Sequence, residues 1–290
     1  MKYLAVQELH AEKHYPITFM CKVLGIARSG YYQWLNRDIP EKEAQDEELA
    51  RIILEYHETF NRILGYRRMT LYVNRLNQTH YNRKRIRRLM RYLGIKSEIR
   101  KKRKGYVKST PQTVAENLLK RNFTAEAPNT KWLTDVTEFK VKGTSKKLYL
   151  SAILDLYDRS IVAYEIAKRN DNRLVFKTFD KAVEKNPDAK PLFHSDRGFQ
   201  YTSRVFKKKL ENIEAVQSMS RVGRCIDNGP MEGFFGIIKS EMYHLNDFYS
   251  TEELREAIHA YMTFYNDQRF SPVLKGLTPI EYRNQALQTF

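Results

Sequence analysis

The sequence predicts an α/β core, a mixed five-stranded sheet flanked by helices, preceded by all-α helix-turn-helix segments and followed by a helical tail. Three observations predict it. After residue 129, strand-like and helical stretches alternate in the order β-β-β-α-β-α-β-α. The excess of positive charge is concentrated in the first part of the chain, where residues 1–125 hold 26 Lys and Arg against 12 Asp and Glu, while residues 126–290 hold 25 against 22. Three carboxylates, Asp135, Asp196 and Glu232, lie on elements that such a sheet would bring together.

A chain of 290 residues is long enough for one substantial core and one or two small domains. Its net charge is +17, and residues 60–109 carry 17 basic side chains against the single acid Glu98. So one-sided a field repels itself unless it faces a polyanion, and nucleic acid is the usual one. Cys21 and Cys225 stand far apart, which excludes a disulfide framework and, with His10 and His14 alone near Cys21, a zinc cage. No apolar run approaches the ~20 residues that span a bilayer, and no leader pattern opens the chain. The expectation is a soluble protein of a reducing, cytoplasmic compartment with no membrane partner.

In chain order, residues 1–45 read as a helix-turn-helix. "PITFMCKVLGIARSGYYQWLN" gives two short helices meeting at Leu24-Gly25-Ile26, with Phe19, Val23 and Ile26 as the apolar stripe and Tyr31-Tyr32 as helix packing. Residues 46–105 read as a basic helical DNA-binding domain. Within it Asn82 caps a helix that ends at Gly94, and Ile86, Leu89, Met90 and Leu93 fall at core spacing. Arg83, Lys84, Arg85, Arg87, Arg88 and Arg91 must take the other faces, and Arg67, Arg68, Lys101 and Lys102 extend the same basic surface. Residues 106–128 read as a linker.

Residues 129–245 hold the core. "KWLTDVTEFKV", "KKLYLSAILDLYDR" and "SIVAYEIA" are three strands at hairpin spacing, followed by a helix, the strand "KPLFHSD", a helix, the strand "AVQSMS" and the helix opened by Pro230. That order is the ribonuclease H-like arrangement. The helical tail, residues 246–290, begins with a capping box at Ser250 and Glu253.

The carboxylates carry the chemistry. Asp135 lies in the middle of an apolar strand, where a charge is costly unless it is paired or binds metal. Asp196 ends the strand expected beside it, and Glu232 sits in the first turn of a helix, where the dipole favours an anion. Three converging carboxylates need a cation, and oxygen ligands select Mg²⁺ or Mn²⁺. Lys239 lies two helical turns beyond Glu232, with Gly236 between them leaving room for a phosphate backbone. Lys239 is therefore expected on DNA and not on the metal. His194 is left between a substrate contact and a structural hydrogen bond. Asn228 is expected to shape the helix start, with DNA contact as the lesser role. Glu138 and Asp158 read as structural and Trp132 as core, while Asp155 stays open between structural and site-lining roles.

"TDVTEF", "HSDRGFQY" and "DNGPMEGFFGIIKSE" resemble the Asp-Asp-Glu core of retroviral-integrase-like transposases, above all the second-frame (OrfB) proteins of bacterial insertion sequences. "LGIARSGYYQWL", "GYRRMTLYV", "RKRIRRLMRYLGI" and "FYNDQRFSPVLKGLTPIEY" extend the resemblance over nearly the whole chain. A retroviral integrase would open with a His/Cys zinc domain, whereas this chain has helix-turn-helix patterns there. The resemblance implies a nucleoid-associated DNA transposase using two Mg²⁺ or Mn²⁺ ions held by Asp135, Asp196 and Glu232. Water first frees a 3′-hydroxyl, which then attacks a second phosphodiester by a copy-out route. It further implies transposon-end and target DNA as partners, a homo-oligomeric synapse, and a first-frame OrfA partner or fusion. A structure-selective nuclease without strand joining, or a catalytically silent DNA-binding repressor, stands as the alternative.

Overall fold

In the computed structural model, which describes residues 2–38, 40–98, 116–221 and 225–287, the chain divides into two units, Met1–Glu55 and Tyr56–Phe290. In the first unit, α1 (Lys2–Lys13), α2 (Ile17–Leu24) and α3 (Arg28–Leu35) form the expected short-helix pattern. Gly25 supplies the turn between α2 and α3 at φ +60°, a conformation that favours glycine. The buried stripe differs from expectation. Ile17, Met20, Cys21 and Leu24 face Val6, Tyr31 and Trp34, whereas Phe19 and Val23 are 62% and 67% exposed. Four positions at helical spacing outcompete a pair, so the helix is rotated to bury the fuller stripe. The helix α4 (Glu41–Thr59) runs from this unit into the next.

The second unit begins with α5 (Tyr66–Leu76) and α6 (Arg83–Tyr92). Asn82 caps α6, its side-chain oxygen accepting from the Lys84 amide at 2.8 Å. Ile86, Leu89 and Met90 are buried, and Gly94 ends the segment at φ +68°. Residues 56–98 fall within the Tyr56–Phe290 unit together with the sheet.

The sheet has the order β3-β2-β1-β4-β5. The strands β1 (Lys131–Lys140), β2 (Lys147–Asp155) and β3 (Ile161–Ala167) form an antiparallel meander. After α7 (Asn172–Lys185), β4 (Leu192–Ser195) lies parallel to β1. After α8 (Arg204–Asn212), β5 (Val216–Met219) lies parallel to β4. This is the predicted mixed five-stranded sheet. Alternation along β1 sends Trp132 to one face, among Phe179, Phe193 and Phe206, and Leu133 to the other. That second face is covered by α9 (Gly229–Ile238) and α10 (Thr251–Thr263) through Phe234, Ile238, Leu254 and Ile258.

The C-terminal segment is therefore a layer of the core. Its last helix, α11 (Pro279–Leu287), sends Arg283 to Asp155 and Asp158, each at 2.6 Å. Beyond Ile238 the α9 backbone widens into a π turn over Lys239–Tyr243. Among the described residues, no helix is long and apolar enough to cross a membrane.

Candidate active site

β1 and β4 run parallel, and their ladder ends with Leu133 opposite His194, two residues before Asp135 and Asp196. The Asp196 charge is felt at the Asp135 carboxyl, so the two acids lie near one another at this end of the strands. Asp196 is the first residue beyond β4, where its carboxylate accepts the Gly198 amide at 2.9 Å. A Cβ at position 198 would lie 2.8 Å from Gln200 Oε1 and 3.0 Å from Asp196 Oδ1. A side chain there would have to push the Gln200 amide aside and crowd the Asp196 carboxylate. The third acid arrives through Asn228, whose side-chain amide donates to the Thr134 carbonyl at 3.0 Å. That bond ties the start of α9 to the residue before Asp135, and Glu232, exposed in the first turn, is carried with it.

Burial pushes the Asp135 carboxyl up to about 7, the negative charge of Asp196 adds to this, and Glu232 contributes further. The Val136 amide, at 2.7 Å, and the Lys239 ammonium oppose the shift. Asp196 opens to solvent at the strand end, yet the protein packed around it raises its carboxyl by partial burial. The charges of Asp196 and Glu232 disfavour an ionised Asp135, which is the electrostatic condition that a bound cation relieves. Among the described residues, no group of three or more His, Cys, Asp or Glu side chains is placed to hold a metal ion. The donor set itself, hard carboxylate oxygens, fits Mg²⁺ or Mn²⁺.

Lys239 is half-buried in the π turn, with its ammonium 5.4 Å from the Phe139 ring centroid. Burial lowers its pKa, while the charges of Glu138 and Asp135 act against that. Its charge is felt at Asp135 on β1. Gly233 and Gly236 are exposed on α9, and a Cβ at either would meet nothing within 4 Å, so this face of the helix is open to a ligand.

The remaining expected residues divide. His194 is fully buried, its ring nitrogens paired with Ser218 Oγ at 2.9 Å and Ser220 Oγ at 3.1 Å. Burial lowers its pKa to about 4, so it is a neutral tie between β4 and β5 and takes the structural of its two roles. Asp155, left open by the sequence, is buried in its ion pair with Arg283, and Asp158 shares that guanidinium. Glu138 pairs with Lys147 at 3.1 Å.

Of the basic residues, Arg83, Lys84, Arg87, Arg88, Arg91 and Arg67 are exposed. The guanidiniums of Arg67 and Arg87 both lie over the Tyr66 ring, at 5.5 Å and 5.3 Å. Arg85 is half-buried over Tyr81, at 5.1 Å. Arg68 points the other way, into the core, to Glu241 at 2.9 Å, and leaves the expected DNA-facing set. Lys101 and Lys102 lie outside the described residues.

Sequence reading missed Asp227 and Glu241. Asp227, fully buried, accepts from Arg221, Arg121 and Asn117 at 2.8–3.0 Å, and Arg221 above all holds its carboxyl far below the usual range. It pins the chain that enters the core to the residue leading into α9. Its one signal in sequence was its place directly before Asn228 in "DNGP".

A two-faced mixed sheet that presents acids from β1, the end of β4 and the first turn of α9 defines an integrase-type core. Family profiles described as "Integrase core domain" match residues 125–225 and 232–287, and an "HTH-like domain" profile matches residues 43–103. The chain is 41% identical over 273 residues to the putative transposase InsK for insertion sequence element IS150 of Escherichia coli K12, covering 93% of this chain and 94% of that one. It is 29% identical over 293 residues to the transposase InsF for insertion sequence IS3A of the same organism, covering 99% and 100%. Among solved structures, the HTLV-2 integrase catalytic core domain in complex with magnesium is 22% identical, covering 55% of this chain and 98% of that one, with a TM-score of 0.44. The chain belongs to the insertion-sequence transposases with an integrase-like core.

Proposed function

We propose that this chain binds the ends of its own element, cleaves one DNA strand with water and joins the freed 3′-hydroxyl to a second phosphodiester. What supports this reading is that Asp135 lies within reach of the charges of Asp196 and Glu232, at the end of the β1–β4 ladder and beside the start of α9 that Asn228 ties to β1. Asp135, Asp196 and Glu232 are the residues that would hold two Mg²⁺ or Mn²⁺ ions. When bound, such ions activate the attacking oxygen and neutralise charge on the leaving one.

The chain's own groups do the rest. The Asn228 tie fixes α9 against β1, so that Glu232 and Lys239 keep their places relative to Asp135. Lys239 adds positive charge on the open face of α9, where a phosphate can approach past Gly233 and Gly236. Arg83, Lys84, Arg87, Arg88 and Arg91 on α6, with Arg67 on α5, supply the phosphate contacts that hold the duplex. In the first step water displaces a 3′-oxygen from phosphorus. In the second that 3′-hydroxyl displaces another, so bonds broken and formed balance without a covalent enzyme intermediate. Two ends must meet, so the active form is a homo-oligomer, and a first-frame partner supplied separately leaves this chemistry unaltered.

The test is incubation of the protein with labelled element-end DNA and Mg²⁺, scoring nicking and joining separately. Both products are expected, and Asp135→Asn, Asp196→Asn and Glu232→Gln should each abolish both while leaving DNA binding within about threefold, because each removes an anion and not a phosphate contact. Nicking without joining would favour a nuclease. Binding without either would favour a repressor.

A further inference from the structure

We infer that Arg68, through Glu241, sets the register between DNA lying on α5 and α6 and the carboxylates that cut it. This rests on the DNA-cleaving reading above and adds to it a positioning residue.

Glu241 lies in the π turn that extends α9, two residues beyond Lys239. Its carboxylate is buried and heavily bonded. Arg269 donates to it twice, at 2.9 Å and 2.8 Å, the Tyr261 hydroxyl donates at 2.9 Å, and Arg68 Nη1 lies 2.9 Å from Oε1. Burial pushes this carboxyl upward, but Arg269, then Arg68 and Tyr261, outweigh it and leave the pKa below the ordinary value. Arg269 by itself forms the two-bond fork that neutralises a carboxylate. Arg68 is a second guanidinium on the same anion, 13% exposed, and neutralising Glu241 does not require it. Taking an extra cation out of water is costly, so stability alone is a poor account of its place.

Its position along the chain supplies a better one. Arg68 and Arg67 are neighbours in the first turn of α5 and face opposite ways. Arg67 shares the Tyr66 ring with Arg87 of α6, on the exposed basic surface. Arg68 reaches inward to the helix that carries Glu232 and Lys239, and its other nitrogen donates to the Ile63 carbonyl at 2.7 Å. The rest of α5 is seated on the C-terminal segment, through Tyr72 on the Gln268 carbonyl at 3.0 Å and Arg75 on Glu281 at 2.8 Å. Those contacts hold α5 down without touching α9. Arg68 joins the DNA-facing turn to the catalytic helix itself, and does so at a π turn, a backbone irregularity found often at functional sites.

The experiment uses the full chain with Arg68→Met, Arg68→Lys and Tyr72→Phe, end-labelled element-end DNA and a non-specific duplex, and maps cuts at nucleotide resolution. Arg68→Met should bind end DNA within about threefold of wild type, yet spread its cuts over neighbouring phosphates and lose about tenfold in its preference for end DNA, the scale of one coupling contact. Arg68→Lys, which restores the charge, should narrow the cuts again. Tyr72→Phe, which removes the bond from α5 to the Gln268 carbonyl and leaves the Arg68–Glu241 pair in place, should cut where wild type cuts. Cutting by Arg68→Met at the wild-type phosphate with unchanged end preference overturns the inference, whatever its melting temperature. If Arg68→Met does not fold, Arg68→Gln is read by the same two outcomes. A wild-type protein that cuts no DNA overturns the functional reading itself, and this coupling with it.

Discussion

A carboxylate pushed up to about 7 in the middle of a strand is a burden on the fold that carries it, and Asp135 is such a group. Asp135→Asn keeps the shape and removes the charge, so the metal-free variant should melt above metal-free wild type. A relief of about 1–3 kcal/mol corresponds to roughly 2–10 °C for a unit of this size. Added Mg²⁺ should reverse the order by raising the wild-type midpoint and leaving the variant in place, since a ligand stabilises only the state that binds it. Differential scanning calorimetry with and without Mg²⁺ checks both halves, and a variant that melts below wild type without metal would contradict the repulsion described. Lys239→Ala should leave the Mg²⁺ response intact and reduce end-specific cleavage by one to two decades, roughly the worth of one charge-assisted contact. Equal loss on end DNA and on non-specific duplex would place this lysine in the chemical step. At this scale the placement of Asp135 inside β1 was legible, because apolar residues bound it on both sides. His194 was not, because spacing shows which way a strand residue points and not that two serines on the next strand wait for it. Glu241 was not, because its partners lie 20 and more residues away in sequence.

Elements built from local rules were readable. Asn82 caps α6, Gly25 turns α2 into α3, and Ser250 accepts the Glu253 amide at 3.0 Å, as their residue types predict. Elements whose facing depends on a competing stripe were not, and α2 is the instance, with Phe19 and Val23 left outside. On α6 the core stripe of Ile86, Leu89 and Met90 leaves Arg83, Arg87, Arg88 and Arg91 exposed. Replacing these four by Ala should weaken binding to any duplex and flatten the dependence of log affinity on log salt by up to ~0.9 per lost phosphate contact. Arg85 is left out of that set, because its guanidinium lies half-buried over Tyr81 and its loss would test packing. Titrations of one duplex at several salt concentrations give the slope, and an unchanged slope would mean that α6 does not carry the DNA.

At the scale of the whole molecule, composition marks where charge changes but not which segments share a core. The segment after residue 245 looked like a tail, yet Leu254, Ile258, Tyr261, Met262 and Tyr265 are buried in the same cluster as Leu133, Leu150 and Phe234. Five such side chains, at about 1.5–3 kcal/mol each, amount to about 8–15 kcal/mol, comparable to the whole net stability of a typical domain. Arg283 adds an electrostatic reason, since without it Asp155 and Asp158, both fully buried, lose their shared cation. Arg283→Ala should therefore cost about 3–5 kcal/mol, the usual price of stranding a buried charge. A chain stopped after Leu245 should lose the cooperative melting of the Tyr56–Phe290 unit altogether, while the short helices of Met1–Glu55, which have their own core of Val6, Met20, Cys21 and Tyr31, keep their far-ultraviolet signal. Calorimetry and circular dichroism on the three proteins separate the outcomes. A truncated chain that still melts cooperatively at the full-length enthalpy would show that residues 246–290 are the appendage the sequence suggested, and that the buried contacts of α10 and α11 contribute little to the fold.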